Sequence, residues 1–176
     1  MRNKKSKELS RIIVLGEINE DNVNDAIQLI YEINKEDEGK QSAEPIHIIL
    51  NSAGGDIYDG MALVDVMLRS ETQIHVTVHG KAMSMALLIA VCGSVRTASS
   101  NTTFMYHEAS YDASGKTTFH KQELKEVERL DKVFDNILIE RTNLTNKELE
   151  KIKKEHKDWY FTAEEAMKLG IIDEVI

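Results

Sequence analysis

The chain has 176 residues, of which 41% are hydrophobic and 30% are charged, a composition typical of a globular domain with a sizeable core. Its net charge of −8 argues against binding to duplex nucleic acid, because the phosphate backbone attracts cationic surfaces. No stretch approaches the ~18 consecutive apolar residues of a membrane span. The single cysteine, Cys92, excludes an intrachain disulfide, so we expect a reducing, cytoplasmic environment.

The start of the chain is basic and is predicted to be a solvated tail. The apolar run at 12–15 that follows it is too short for the apolar core of a signal peptide. The chain contains one proline, no low-complexity linker and no internal repeat. We therefore expect residues 1–10 to be a disordered tail and residues 11–176 to form one domain.

Strands and helices alternate through the first half of the chain. Apolar runs predict strands at 11–15, 46–50 and 73–79, and the second of these is expected to be buried on both faces. Apolar residues at three- and four-residue spacing predict a helix from Asp21, followed by a polar loop at 35–44, and another helix from Asp56 after a sharp turn. Such alternation indicates a mainly parallel sheet with crossover helices.

The second half begins with a buried helix in the segment Gly80–Cys92 and short strands at 95–98 and 103–106. The polar segment 110–118 is predicted to be a loop or flexible hairpin. The amphipathic helix that follows is too long for the small core, so part of it is expected to project and to pack against another subunit. This long helix is predicted at 119–141. Two further helices follow, each opened by a capping box, at 145–148 and 162–165, and the chain ends in a strand at 171–176.

Ser84 is the first candidate for chemistry. It lies among small residues where the third strand gives way to an apolar helix. Unpaired N–H groups and the positive end of the dipole at a helix start can stabilise an oxyanion. The same position suits an ordinary N-cap, and for Ser84 taken alone that simpler interpretation is favoured.

Other residues supply the remaining parts of a serine-nucleophile site, which needs a base, a carboxylate that orients it and N–H donors for the oxyanion. His107 follows a later strand and can lie beside Ser84 at the carboxyl edge of a parallel sheet. Asp158 precedes an aromatic cluster that can bury it. The donors would be the Met85 N–H and the pair Gly54–Gly55, whose backbone can approach a substrate closely.

Each of these parts also has a simpler interpretation. His107 could be a solvent-exposed residue at a strand end, Asp158 a surface residue, and the glycine pair a plain turn. His75 and His79 share a strand face, but no third ligand can be identified, so we expect no metal and no other cofactor.

Four ordered segments resemble the proteolytic subunit of the Clp protease, the ClpP family. The similarity runs from about residue 11 to residue 176, and four motifs in order at compatible spacing are specific where any one alone would be weak. The segments are Ile48–Asp56 with Gly60–Ala62, Gly80–Met85, Met105–His107, and Asp158–Ala166 with Gly170–Asp173.

The resemblance implies a serine endopeptidase that cleaves unfolded polypeptides through an acyl-enzyme. Ser84 would be the nucleophile, His107 the general base and Asp158 the carboxylate that orients it. The N–H groups of Gly55 and Met85 would form the oxyanion hole.

The resemblance also implies the fold and the assembly. The fold would be the α/β spiral of stacked β-β-α turns shared by ClpP and crotonases, with the helix 119–141 as a projecting handle. The chain would form homo-oligomeric rings, commonly heptamers, two of which stack around a closed chamber. The segment 110–118 would line this chamber and pair with extended substrate, and the candidate substrate-binding residues are Gly54, Ser110, Gly115 and Thr117.

The chain departs from the family pattern at several positions. Ala53 replaces the usual proline before the glycine pair, Lys81–Met83 replaces the usual approach to the nucleophile, and Glu108–Ala109 replaces Gln-Pro after the histidine. Few residues precede Arg11, where the family usually has a longer segment that forms axial pore loops. We therefore expect weak or absent stimulation by an AAA+ unfoldase of the ClpX, ClpA or ClpC type.

Two other functions stay open. One is a non-catalytic ring subunit with the same fold. The other is a crotonase-like acyl-CoA enzyme, which would hold a thioester enolate with the two N–H donors and would not need the serine. The intact set of Ser84, His107 and Asp158 and the small size of the chain favour the peptidase.

Overall fold

The computed structural model describes residues 10–109, 116–155 and 158–176. The elements within these ranges are β1 (Ile12–Leu15), α1 (Glu20–Asp37), β2 (Ile46–Ser52), α2 (Ile57–Arg69), β3 (Ile74–Met83), α3 (Met85–Val91), β4 (Val95–Ala98), β5 (Thr103–Tyr106), α4 (Thr117–Arg141), α5 (Asn146–Lys154), β6 (Trp159–Thr162), α6 (Ala163–Lys168) and β7 (Glu174–Val175).

The sheet is mainly parallel, as the alternation of strands and helices predicts. Its central path runs β1-β2-β3-β4-β7, and every pair along that path is parallel. The long strand β3 pairs with β4 through His75–Val78 and then with β5 through Lys81–Met83. The second half of β3 therefore leaves the path shared with β4 and ends beside β5.

The helix α3 follows β3 directly, and all of its residues are buried. The prediction of a buried helix in this segment is confirmed, although the strand before it runs to Met83 and not to residue 79. Arg141, the last residue of α4, supports the other end of α3, because its guanidinium donates to the carbonyl oxygens of Val91 and Gly93 at 2.7 and 3.2 Å. The helix is thus held at its start by β5 and at its other end by Arg141 of α4.

Three of the predictions for these elements are wrong, two for their boundaries and one for burial. The helix α1 continues through Asp37 into the predicted loop at 35–44. The polar sequence there indicates a loop, but Asp37 is buried by its contacts with other elements. The strand β2 buries Ile46, Ile48 and Leu50 on one face, while the alternate residues are only half-buried or exposed. The final strand spans only Glu174–Val175.

The strand β6 is an addition to the predicted set of elements. It pairs antiparallel with β5, and its burial alternates, with Phe161 buried between the exposed Tyr160 and Thr162. Four residues are too short a run to show this period in the sequence.

The long helix α4 has two parts. No side chain described between 118 and 129 is buried, and Phe119 and Leu124 are 46% and 44% exposed. Beyond that point Leu130, Phe134 and Leu138 are buried against the rest of the chain. The prediction that part of this helix projects is confirmed.

Both predicted capping boxes are present. Thr145 with Glu148 opens α5, and Thr162 with Glu165 opens α6. None of the helices in the described ranges is both long enough and apolar enough to cross a bilayer.

Asp37 ties the end of α1 to the start of the sheet. Its carboxylate accepts hydrogen bonds from Arg11 at 2.8 and 2.6 Å, from Lys40 at 2.8 Å and from Thr72 at 2.8 Å. The hydrogen bond from Arg11 is the main cause that holds the pKa of Asp37 well below its usual range, while burial opposes it. The carboxylate is therefore charged in the folded protein even in mild acid.

Replacing Asp37 with asparagine is expected to lower the free energy of unfolding by about 2 kcal/mol at neutral pH, because Arg11 loses its counter-charge but keeps some access to solvent. The folded-state pKa lies below the unfolded value of about 3.9, so this stabilisation is present above that pH and is lost as the pH falls below it. Urea unfolding across this pH range measures the difference, which should shrink toward acid. The control Glu36→Gln, an exposed carboxylate, should change stability by less than about 0.5 kcal/mol. A difference that does not depend on pH would contradict the role of the ion pair.

Candidate active site

Ser84 lies between β3 and α3 in an unusual backbone conformation. Its φ of 54° and ψ of −126° make it the one non-glycine residue with a positive φ in the described part of the chain. Such conformations cost about 1–3 kcal/mol and persist where the surroundings impose them, often at functional sites. The Ser84 side chain makes no capping hydrogen bond to α3, so its interpretation as an ordinary N-cap is wrong.

The Ser84 hydroxyl is instead hydrogen-bonded to His107. The distance between Ser84 Oγ and His107 Nε2 is 2.8 Å, and His107 is half-buried. Strand pairing explains the contact, because Met83 of β3 lies opposite Met105 of β5, and the Ser84 N–H donates to the Met105 carbonyl oxygen at 2.9 Å. The residues that follow the two strands therefore meet in the geometry of a nucleophile and its base.

The glycine pair lies against this site at very short range. A Cβ on Gly54 would lie 2.9 Å from Ser84 Cβ, and a Cβ on Gly55 would lie 2.0 Å from the carbonyl oxygen of Ile18. Their φ values of 104° and 152° also favour glycine. The pair is therefore fixed by close approach and is more than a plain turn.

Two backbone N–H groups are available beside Ser84. The Gly55 N–H has no acceptor among the described residues. The Met85 N–H is the first of α3 and so has no partner within the helix. Both residues border the same cavity as Ser84 and His107, so the two donors are near the point where an oxyanion would form.

The cavity beside the Ser84–His107 pair has a volume of about 230 Å³. Its walls combine apolar side chains with polar groups, which suits a site that binds a side chain together with its polar backbone. The walls come from α2, α3 and α4, and the lining residues besides the pair include Asp56, Ile57, Val127, Leu130, Asp131 and Phe134. Asp131 has no counterpart among the sequence-predicted site residues, because a carboxylate on an amphipathic helix is normally read as solvated.

Asp158 is placed differently from the expectation. Trp159 lies opposite Tyr106 in the β5–β6 ladder, so the backbones of Asp158 and His107, the next residues along, lie close together. The Asp158 side chain, however, is exposed, and within the described residues no hydrogen bond joins it to His107. It borders a separate surface depression with Ile152 and Trp159. The prediction that the aromatic cluster buries Asp158 is wrong, because Phe161 packs into the core, Tyr160 is itself exposed, and the carboxylate stays outside.

The other predicted substrate-binding residues are only partly visible. Gly54 lies beside Ser84, as expected. Ser110 and Gly115 lie outside the described residues. Thr117 is the first residue of α4, so the helix begins two residues earlier than predicted and Thr117 belongs to it and not to a loop or strand.

The environment of Cys92 in the structure makes its thiol unreactive. Its side chain is buried in the core, and burial raises the pKa of the thiol to about 12 against the opposing charges of Arg141 and Arg96. In the described part of the chain, no three His, Cys, Asp or Glu side chains are grouped so as to hold a metal ion.

The comparison with known protein families agrees with the resemblance found in the motifs. The family model described as Clp protease matches residues 3–176, almost the whole chain. The mainly parallel sheet with its flanking helices is consistent with the fold of that family. The chain therefore belongs to the Clp protease family, a family of peptidases.

Proposed function

We propose that this chain is a serine endopeptidase with Ser84 as the nucleophile and His107 as the general base. The observation that carries the proposal is the 2.8 Å hydrogen bond between Ser84 Oγ and His107 Nε2 in a member of this family. The strained backbone of Ser84 supports it, because that conformation aims the hydroxyl at His107 and away from its own helix.

The reaction would proceed in two halves. His107 accepts the hydroxyl proton as Ser84 Oγ attacks the substrate carbonyl carbon, and the N–H groups of Gly55 and Met85 receive the oxyanion. The C–N bond then breaks, and the leaving amine takes the proton from His107. Water attacks the resulting acyl-enzyme by the same proton path, which releases the acid and restores Ser84.

We assign the orienting role to Asp158. The register of β5 and β6 supports this, because it brings the Asp158 and His107 backbones together. A carboxylate that accepts from His107 Nδ1 would keep Nε2 as the acceptor that the Ser84 proton needs. The Asp158 side chain is exposed in this structure, so the assignment requires it to turn toward His107 when the working assembly forms.

We further infer that the working assembly is a homo-oligomeric ring, heptameric or a stacked pair of heptamers, that encloses unfolded polypeptide. The support is the projecting half of α4, which leaves Phe119 and Leu124 about half exposed and offers an apolar face to a second chain.

One experiment tests the chemistry and the assembly together. The protein is separated by size with light-scattering detection, each fraction is treated with a fluorophosphonate probe, and the adduct is located by peptide mass. We expect an oligomer that carries one adduct per chain on Ser84, and none in Ser84→Ala. The control Ser100→Ala, which removes an exposed serine, should label like the unaltered chain.

Two results would contradict the proposal. A monomer at micromolar concentration would exclude the ring. A folded, assembled protein that never labels would exclude the nucleophile and favour the non-catalytic subunit or the crotonase-like enzyme.

A further inference from the structure

Next to the site lies a group of mostly buried polar side chains, the Lys153 cluster, formed by Tyr106, Asp131, Asp135 and Lys153. The Lys153 ammonium donates to Asp131 Oδ2 and, at 2.5 Å, to Asp135 Oδ2, and the Tyr106 hydroxyl donates to Asp135 Oδ1 at 2.7 Å. The side chains of the lysine and the two aspartates are only 12–16% exposed. The cluster joins β5, α4 and α5, which are far apart in the sequence.

The protonation states in the cluster follow from these contacts. Burial disfavours the Lys153 ammonium, but its hydrogen bonds to the two carboxylates outweigh burial and raise its pKa above the ordinary value. Burial, together with the hydrogen bond to Asp135, raises the pKa of Tyr106, so its hydroxyl stays a neutral donor. Asp131 and Asp135 lie one turn apart on α4, so their negative charges repel each other. The Lys153 ammonium pairs with both carboxylates and offsets this repulsion.

The two aspartates of the cluster accept hydrogen bonds from residues on both sides of His107. Tyr106, the residue before it, is held by Asp135. Ala109, two residues after it, donates its N–H to Asp131 Oδ1 at 3.2 Å. Both carboxylates are in turn held by Lys153, so one ammonium supports two anchors of the segment that carries His107.

We propose that Lys153 is a positioning residue for the Ser84–His107 pair, because it holds Asp131 and Asp135 where they fix the backbone on either side of His107. The inference rests on the proposed function, since it concerns the placement of the proposed base. Lys153 touches neither Ser84 nor the hydroxyl proton, so its effect passes through the two carboxylates. Its loss would take from the two neighbouring carboxylates the counter-charge that Lys153 supplies, and they would move apart or turn to solvent. Either movement releases Tyr106 or Ala109.

The test compares variants of the full chain in its assembled form. Active sites are first counted by complete fluorophosphonate labelling, and kcat on a short fluorogenic peptide is expressed per labelled site. We expect Lys153→Met to lower this kcat about 10- to 100-fold, since a displacement of about 1 Å between reacting groups can cost that much. KM should change less than about threefold, because the loss falls on the chemical step.

Two further variants separate positioning from general stability. Lys153→Arg should restore kcat to within about fivefold, because a guanidinium can bridge both carboxylates. Lys154→Met removes a neighbouring lysine whose side chain is 78% exposed and 3.9 Å from Glu150, and it should behave like the unaltered chain.

A normal kcat per labelled site in Lys153→Met would overturn the inference, and so would a loss confined to the number of labelled sites. If Lys153→Met does not fold, Tyr106→Phe decides, because it removes only the hydrogen bond to Asp135. It should lower kcat about 3- to 10-fold, the worth of one hydrogen bond, and an unchanged kcat would overturn the inference. Failure of the unaltered chain to label at Ser84 would instead mean that the proposed function is wrong.

Discussion

Replacing Ser84 with alanine is expected to lower kcat for peptide cleavage by about 10⁴-fold or more, because it removes the atom that forms the acyl-enzyme. The fold should survive, since within the described residues the Ser84 side chain makes the single hydrogen bond to His107 and no cap to α3. Any remaining rate would come from substrate binding and the N–H donors alone.

Two inactive variants at this position should differ in stability. Alanine at residue 84 keeps the strain of a φ near 54°, whereas glycine relieves it. After the larger backbone entropy of glycine is subtracted, we expect Ser84→Gly to be more stable than Ser84→Ala by about 1 kcal/mol, a rise in Tm of about 2–4 °C for a chain of this size.

Peptide hydrolysis and thermal unfolding of the three proteins measure both effects. The Gly variant should be as inactive as the Ala variant and melt above it. Appreciable turnover by Ser84→Ala would show that another group is the nucleophile. Equal stability of the two variants would show that the conformation at residue 84 carries no strain.

The proximity of Ser84 and His107 could be predicted from the sequence, because it follows from the order of the strands. Both residues follow strands that were predicted from apolar runs, and parallel neighbouring strands end at one edge of a sheet. The distance between them and the positive φ of Ser84 were not accessible, because they depend on how Met83 pairs with Met105 and on the close approach of Gly54.

Features that depend on long-range polar contacts could not be predicted. Asp37 and Asp135 are buried only because partners from other elements neutralise them, and hydropathy assigns such residues to the surface. The exposure of Asp158 could not be predicted either. The neighbouring aromatic residues indicate burial, but side chains of the short strand β6 alternate between core and solvent, and Asp158, just before it, is on the solvent side.

Replacing Gly55 with alanine is expected to reduce both stability and activity. Its new Cβ would lie 2.0 Å from the carbonyl oxygen of Ile18, so the backbone must shift and the paired hydrogen bonds between residue 18 and the glycine turn must weaken. A φ of 152° adds strain for any residue with a side chain. We expect the free energy of unfolding to fall by about 3 kcal/mol, the size of effect that a steric clash together with a strained backbone conformation produces.

The activity should fall by about 10²- to 10³-fold in kcat, because the shift moves one of the two N–H donors away from the oxyanion. Gly16→Ala is the matched control: apart from its two chain neighbours, no atom of the described residues lies within 4 Å of the new Cβ. Stability should therefore change by less than about 0.5 kcal/mol, and kcat should stay the same. Urea unfolding and kcat per fluorophosphonate-labelled site separate the two effects, since unfolded chains do not label. If folded Gly55→Ala cleaves peptide at the rate of the unaltered chain, the Gly55 N–H is not an oxyanion donor, and the role falls to Met85 with a different partner.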